Sequence, residues 1–569
     1  MLKKLDKYTI FLLVLFVSAF SFYYWLRPEG MYYQEIFQMF IWDADYLSEV
    51  VLMPGGLASY IGEFLVQFYY YPLLGAIIIA GLITLSAWLT GKVAKALYPQ
   101  APYSILHALP ALMLWYTIGN MDTIHGFMVA ICMSEALAWI LVAQINRNSA
   151  SGLYIAIAGI GIGYFLIGPA VYSTLAILLI HIYRKRIKMA WGLAAVLSLA
   201  LSMAICIRLV MYTVPQFIYG LEYFRFRCVE SPVLITIAIC ALVHVVRLPE
   251  SLVSGAKKTA VQAALCILAL IPIYKAHPGY QYQIIKMLKM AHNQQWGDIV
   301  AEAERNTPYH QNSMAIVNMA LAFEHKLTDQ MFRFPQLDSE WLIPEVRTDL
   351  LNPLLTAEAW FWMGLNQMAM RQYFESKEGN PTYRGSTWDT KRLAECYMVE
   401  GEYAIATKHL LQLRKTLFYK KTADQYLELI RQGKADEHPM IAELKNNKIK
   451  NNGRQDTDCI DDLLEKLLRE NPQNYLAFEY LMANKMLKTD LEGIARDLSL
   501  GSKVGLKEIP THLQEALTYA WWKKYNSLDK LPQNISQDVR NRFSNNLITN
   551  DSYWKYLLST LMTKNETSN

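Results

Sequence analysis

The stretch "GLYIAIAGIGIGYFLIGPAVYSTLAILLIHIYRKRIK" (residues 152–188) decides how this chain is threaded. Read as one helix, it carries Arg147 and the cluster Arg184, Lys185, Arg186 and Lys188 to opposite sides of a membrane. Read as a hairpin turning at "IGPA" (167–170), it brings all of them to one side. Lysine and arginine concentrate on the cytoplasmic side of a bilayer, so the hairpin is the reading that fits. Gly159, Gly161 and Gly163 then read as points of close helix packing. They lack the strand–turn–helix context of a phosphate loop, which excludes a nucleotide site there.

The same rule extends outward along the chain. A span needs about 20 apolar residues to cross about 30 Å of hydrocarbon. Nine stretches qualify, several of them short: 8–26, 70–90, 103–118, 122–144, 152–167, 169–183, 189–212, 232–247 and 259–274. The first opens with "MLKKLDK" like a signal peptide, but "SFYYWLRPEG" (21–30) offers no small-residue cleavage site, so it reads as an uncleaved anchor. With the N-terminus inside, the inner segments hold Lys3, Lys4, Lys7, Lys92, Lys95, Arg147, Arg184, Lys185, Arg186, Lys188, Arg247, Lys257 and Lys258. The outer loops hold Arg27, Arg225 and Arg227. An odd number of spans leaves residues 276–569 outside. The expected location is therefore a bacterial inner (cytoplasmic) membrane, multi-pass, with the C-terminal half in the periplasm.

Composition divides the chain at the same place. Of 569 residues 53% are hydrophobic, and the excess lies in residues 1–275. That half carries 18 Lys/Arg against 12 Asp/Glu, while the remainder carries 36 against 37. A neutral soluble half has no nucleic-acid footprint. The seven cysteines show no paired metal-ligand spacing, which argues against a structural zinc site. The expected architecture is all-α. Residues 1–275 form a polytopic domain with an outer amphipathic loop over 27–69, and residues 276–569 form a soluble helical domain.

In that second half, "RLAECYMVEGEYAIATKHLLQL" (392–413) places Ala394, Tyr397, Gly401, Tyr403 and Ala406 where small and aromatic residues recur in paired helices. It resembles the tetratricopeptide family, and "NPQNYLAFEYLMANKMLKTD" (471–490) resembles a degenerate further copy. The resemblance implies an α-solenoid with a concave surface for a protein or peptide ligand. "RQGKADEHPMIAELKNNKIKNNGRQDTD" (431–458) reads as a loop-rich insertion.

The outer loop carries the acids of interest. Taken as one helix, residues 32–52 turn about 100° per residue, which puts Glu35, Gln38, Asp45 and Glu49 on one polar face, within about 80° of each other. Asp43 falls among Ile36, Phe40, Leu47, Val50 and Val51 on the apolar face. A carboxylate there is costly unless paired or functional, so Asp43 is the candidate base and Asp45 the weaker candidate. The alternative for Asp43 is an ion pair with an outer arginine, or a local break that turns it to water. In "LASYIGEFLVQFYYYP" (57–72), Ser59, Glu63 and Gln67 form the polar side of a second interfacial helix. Among outer cations, Arg208, Arg225 and Arg227 suit a lipid phosphate. His125, with Asp122, sits at the outer end of the fourth span. His107 reads as a satisfied polar contact, and Glu135, deep in a span, should face the bundle.

An inner N-terminus, a first span, an acidic outer loop of two interfacial helices and further short spans resemble the GT-C class of membrane glycosyltransferases. The resemblance rests on this arrangement of residues 1–275 and on "DAD" (43–45). It implies transfer of a sugar from a polyprenyl-phosphate donor. A loop carboxylate then serves as base or binds a divalent metal, Asp43 takes the acceptor proton, and Arg208, Arg225, Arg227 and His125 line the substrate. The two aspartates diverge on the assumed helix, so they do not form a shared metal site, and no certain cofactor is called. Besides substrate, the expected partners are membrane lipids. A non-catalytic scaffold binding envelope proteins and a transporter with Glu135 in its path remain the competing classes.

Overall fold

The computed structural model describes residues 7–100, 104–220, 223, 230–245, 255–277, 279–344, 351–380, 385–450, 460–529 and 531–567. Their regular elements are helices, with no strand among the described residues. The chain is all-α, and it divides into two compact units. The first is Met1–Tyr282 together with Asn380–Thr387 and Leu413–Lys420; the second is Gln283–Gly379, Trp388–Gln412 and Lys421–Asn569.

The first unit is built on α1 (Lys7–Ser21), α2 (Glu29–Ile36), α3 (Ala44–Val51), α4 (Gly56–Val66) and α5 (Pro72–Leu97). There follow α6 (Leu109–Thr117), α7 (Gly126–Arg147), α8 (Ser149–Ile167), α9 (Val171–Arg184), α10 (Ala190–Leu209), α11 (Val214–Tyr219), α12 (Glu230–Leu242) and α13 (Gly255–Lys275). Among the described residues, five apolar helices are long enough to cross a membrane: Tyr8–Leu26, Pro72–Leu97, Gly126–Arg147, Ser149–Arg184 and Ala190–Leu209. The apolar helices Ile105–Thr117, Glu230–Leu242 and Cys266–Lys275 are shorter. This is a membrane protein by the length and composition of its helices.

Ser149–Arg184 is broken at Gly168–Ala170, where Gly168 adopts φ +81°. The chain doubles back there. Asn146, just before α8, donates to the Ala96 carbonyl at 2.9 Å, and Arg184, at the end of α9, donates to the Leu97 carbonyl at 2.8 Å. Both ends of the hairpin therefore meet the same end of α5, and the turn lies at "IGPA". A second glycine turn packs on it: Gly55 (φ +82°) donates from its backbone N–H to the Phe165 carbonyl at 2.8 Å. A side chain at Gly161 would meet the Ser198 hydroxyl at 2.6 Å, and one at Gly163 would meet Leu137 at 2.9 Å, so these glycines do set the helix spacing.

Several polar groups inside the bundle are paired across helices, while both ring nitrogens of buried His181 have no hydrogen-bond partner among the described residues. Ser86 and Thr90 of α5 donate to Glu135 of α7 at 3.0 and 2.6 Å, so Glu135 faces the bundle as expected. His107 caps the turn before α6, accepting from the Ser104 backbone N–H at 3.3 Å. On the opposite side α10 exposes Leu193, Leu197, Leu201 and Leu209. An apolar exterior around a partly polar interior is the arrangement that lipid favours.

The second unit is a series of helices whose connections are short. The helix Thr387–Glu400 is followed, after a turn at Gly401 (φ +82°), by Tyr403–Arg414, and Tyr397 stacks on His409 at 5.6 Å. Leu351–Met363 and Asn366–Glu378 form a comparable pair around Gly364 (φ +89°). Arg392 holds the interior together. Its guanidinium donates to Glu358 at 2.7 and 2.9 Å and to Glu395 at 2.7 Å. Tyr373 and Trp388 also donate to Glu358, and Tyr426 to Glu395. Residues 431–458 are less loop-rich than their polarity suggests: Pro439–Asn447 is a helix that buries Ile441 and Leu444, while 451–458 lie outside the described residues.

Candidate functional site: an acid-lined recess on the first outer loop

The segment expected as one helix over 32–52 is two helices. Helix α2 ends at Ile36, residues 37–43 run as a link, and α3 begins at Ala44. "FQMFIWD" contains neither glycine nor proline, and its one local signal is Asp43, a favoured helix-capping residue at its end. It is held from far along the chain. Asn380 donates to the Phe37 carbonyl at 2.9 Å, and the Trp42 backbone N–H donates to the Lys415 carbonyl at 3.2 Å. Both partners belong to the first unit. The backbone groups that helix continuation would pair are paired here by tertiary contacts.

The break changes the placement of Asp43. The carboxylate is not on a buried apolar face. Asp43 is the N-cap of α3, with extended backbone (φ −148°, ψ 145°), and its side chain accepts from the Asp45 backbone N–H at 3.3 Å. It also forms an ion pair with Lys415. The hydrogen bond from Lys415 holds the Asp43 carboxyl below its usual range, with the Asp45 N–H adding to the effect. Asp45 and Glu49 are exposed, as a wet helix face requires, and Asp43 and Asp45 share no ligand geometry.

Glu35 and Gln38 are the second correction. They were placed on that wet face, yet they are 4% and 8% exposed. Glu63, on the polar side of α4, is 6% exposed. Glu35 at the end of α2, Gln38 in the link and the polar side of α4 turn into a small shared recess lined also by Phe40, Glu63, Val66 and Gln67. Thr387 and Thr416–Tyr419 complete its wall. Tyr419 donates to Glu35 at 2.8 Å, and Tyr46 donates to Glu63. Burial and the neighbouring Glu35 push the Tyr419 hydroxyl well above its ordinary pKa, so it remains a donor. The amide oxygen of Gln38 is buried and has no hydrogen-bond partner.

Aromatic side chains fix the segment 413–420 against this site. Phe418 stacks on Tyr70 at 5.2 Å and meets Phe68 and Tyr71 edge-on at 5.8 and 5.3 Å. Trp42 at 71% and Trp25 at 67% exposure stand outside the recess, where indoles suit a membrane–water boundary.

Residues 4–548 match the family described as "Family of unknown function (DUF6057)". The chain belongs to this family. No curated protein and no solved structure matches it.

The other expected site residues of this family member are scattered relative to the recess. His125 precedes α7, buried, with its ring nitrogen 2.9 Å from the Tyr69 hydroxyl. Asp122 accepts from Tyr33 at 3.3 Å. Both hold the outer loop to the bundle. Arg208 is exposed in the last turn of α10. Arg225 and Arg227 lie outside the described residues. Among the described residues, no group of three or more His, Cys, Asp or Glu is placed to hold a metal ion. Glu35 and Glu63 were visible in the sequence as members of two polar stripes. The missed signal was the pairing of those stripes: two adjacent polar faces on short helices between membrane spans can satisfy each other.

Proposed function

We propose that this protein is a multi-pass enzyme of a bacterial inner membrane that moves a sugar from a polyprenyl-phosphate donor to an envelope acceptor. In this reading the N-terminus is inside, nine spans cross the bilayer, and residues 276–569 lie in the periplasm. The observation that carries the catalytic reading is the pair of buried carboxylates, Glu35 and Glu63, lining one recess on the first outer loop. They take the role that the sequence suggested for Asp43, whose lone pairs are engaged by Lys415 and by the cap. One carboxylate accepts the proton of the acceptor hydroxyl as its oxygen attacks the sugar carbon, and the carbon–phosphate oxygen bond breaks on the opposite face with inversion. Tyr419 and Tyr46 orient the two acids. Arg208, Arg225 and Arg227 are the cations assigned to the departing phosphate.

The test is transfer from a radiolabelled polyprenyl-phosphate sugar in proteoliposomes. Glu35→Gln or Glu63→Gln lowers transfer by about 10²–10⁴-fold, the usual worth of a general base. Asp43→Asn retains most of it. Wild-type turnover in both glutamine variants would overturn the assignment.

A second reading is a membrane-anchored scaffold. It is favoured by the helix pairs around Gly364 and Gly401, which suit a tetratricopeptide-like solenoid with a protein or peptide ligand. Stable capture of an envelope protein by a chain inactive in every transfer assay would support it.

A further inference from the structure

At the cation-rich end of the first unit, the Lys92 ammonium lies 5.0 Å from the centre of the Trp88 ring and 5.9 Å from that of Trp139. The indoles themselves meet edge to face, with centres 6.1 Å apart. Helices α5 and α7 thus hold one cation between two rings. No carboxylate pairs with Lys92 among the described residues. Leu85, Trp88 and Lys92 follow each other at three- and four-residue spacing on one face of α5. Leu85 and Trp88 remain 39% and 37% exposed, and Ile140, next to Trp139, is 50% exposed. At about 1.5 Å per residue, Lys92 stands about 30 Å along α5 from Pro72, which is the thickness of the hydrocarbon layer. Arg147 ends α7 just beyond, exposed.

We infer that this face, where α5 and α7 meet, binds an anionic glycerophospholipid of the adjacent leaflet. The phosphate meets Lys92, and an acyl chain lies along Leu85, Trp88 and Ile140. The order of chemistry along this face is that of the lipid itself: apolar at bilayer depth, then aromatic, then cationic at the headgroup boundary. The two rings hold the ammonium beside the apolar strip, where a phosphate at the end of an acyl chain would meet it. A free anion would leave the apolar strip unused, and a zwitterionic lipid would bring no net charge to the cation.

The test is native mass spectrometry of the full chain, released from mild detergent and titrated with phosphatidylglycerol. Lys92→Gln weakens binding about fivefold, the worth of one lysine beside an anionic membrane surface. Lys92→Arg restores it, and Lys188→Gln, at the same end but after α9, leaves it unchanged. Phosphatidylcholine binds the wild type at least about fivefold more weakly. Wild-type affinity in Lys92→Gln, or equal binding of the two lipids, would overturn the inference. So would full displacement of phosphatidylglycerol by inorganic phosphate, which would mark a free-anion site. If Lys92→Gln does not fold, the comparison of the two lipids on the wild type decides.

Discussion

Each unit of the protein buries a pair of glutamates, and the two pairs are built differently. In the second unit Glu358 and Glu395 converge on Arg392, with Tyr373, Trp388 and Tyr426 taking up remaining lone pairs. Glu358, Arg392 and Glu395 are 2%, 3% and 1% exposed, so the network is closed. In the first unit Glu35 and Glu63 each accept from a tyrosine and line an open recess. A closed, fully bonded network specifies a core. Carboxylates that line a recess stand beside whatever enters it.

The largest expected effect is at the closed pair. Arg392→Met leaves two carboxylates in a core without their cation and costs about 3–5 kcal/mol, the usual penalty for breaking a buried ion pair from one side. Chemical denaturation of the full chain, followed by loss of helix signal, measures it. A loss under about 1 kcal/mol would mean that water or a neighbouring group reaches the network, and the contrast between the pairs would disappear.

The open pair should separate function from stability. Glu35→Gln and Glu63→Gln keep the shape and one hydrogen bond of each side chain, so the expected cost in stability is about 1 kcal/mol. A cost as large as that at Arg392 would make the recess a structural core like the other.

A pH measurement sharpens the contrast further. His512, in the second unit, sits 2.9 Å from the Asp551 carbonyl, and burial holds its pKa down at about 4. As pH falls below the ordinary value of 6.5, the unfolded chain takes up this proton before the folded one. The stabilisation is complete above pH 6.5 and is lost as pH falls towards about 4. His512→Gln should remove one proton's slope from that window in a denaturation series. An unchanged slope would assign the effect to another group.

The smallest effect is expected at Asp43. Asp43→Asn keeps an N-cap acceptor and loses only a partly exposed ion pair, so the melting temperature should barely move. Its depressed pKa means that the contribution is present at neutral pH and lost on acidification through the folded value. A large loss of transfer activity in this variant, with Glu35→Gln active, would return the base role to Asp43.

Apolar helices and the hairpin were legible from the chain alone, although five helices of membrane-crossing length stand among the described residues where nine spans were expected. Apolar runs long enough for a bilayer, a glycine–proline pair at 168–169 and cations at both ends of 147–188 all act locally or in one dimension, so no fold is needed to read them. The close packing at Gly161 and Gly163 was legible for the same reason. The candidate site was only half legible. An amphipathic stripe says that two faces differ, but it does not say which one is wet. Helix α2 is buried on both faces, with Ile36 1% and Glu35 4% exposed, so its polar side meets that of α4 rather than water. The break at 37–43 was legible only as an alternative at Asp43, whose side chain caps α3. The partners of its backbone come from residues 380 and 415. Local propensity and composition determined that long apolar helices form and where the chain turns back at 168–170. Only contacts between residues hundreds of positions apart decided where the outer loop bends, which acids it buries, and that Asp43 became a cap.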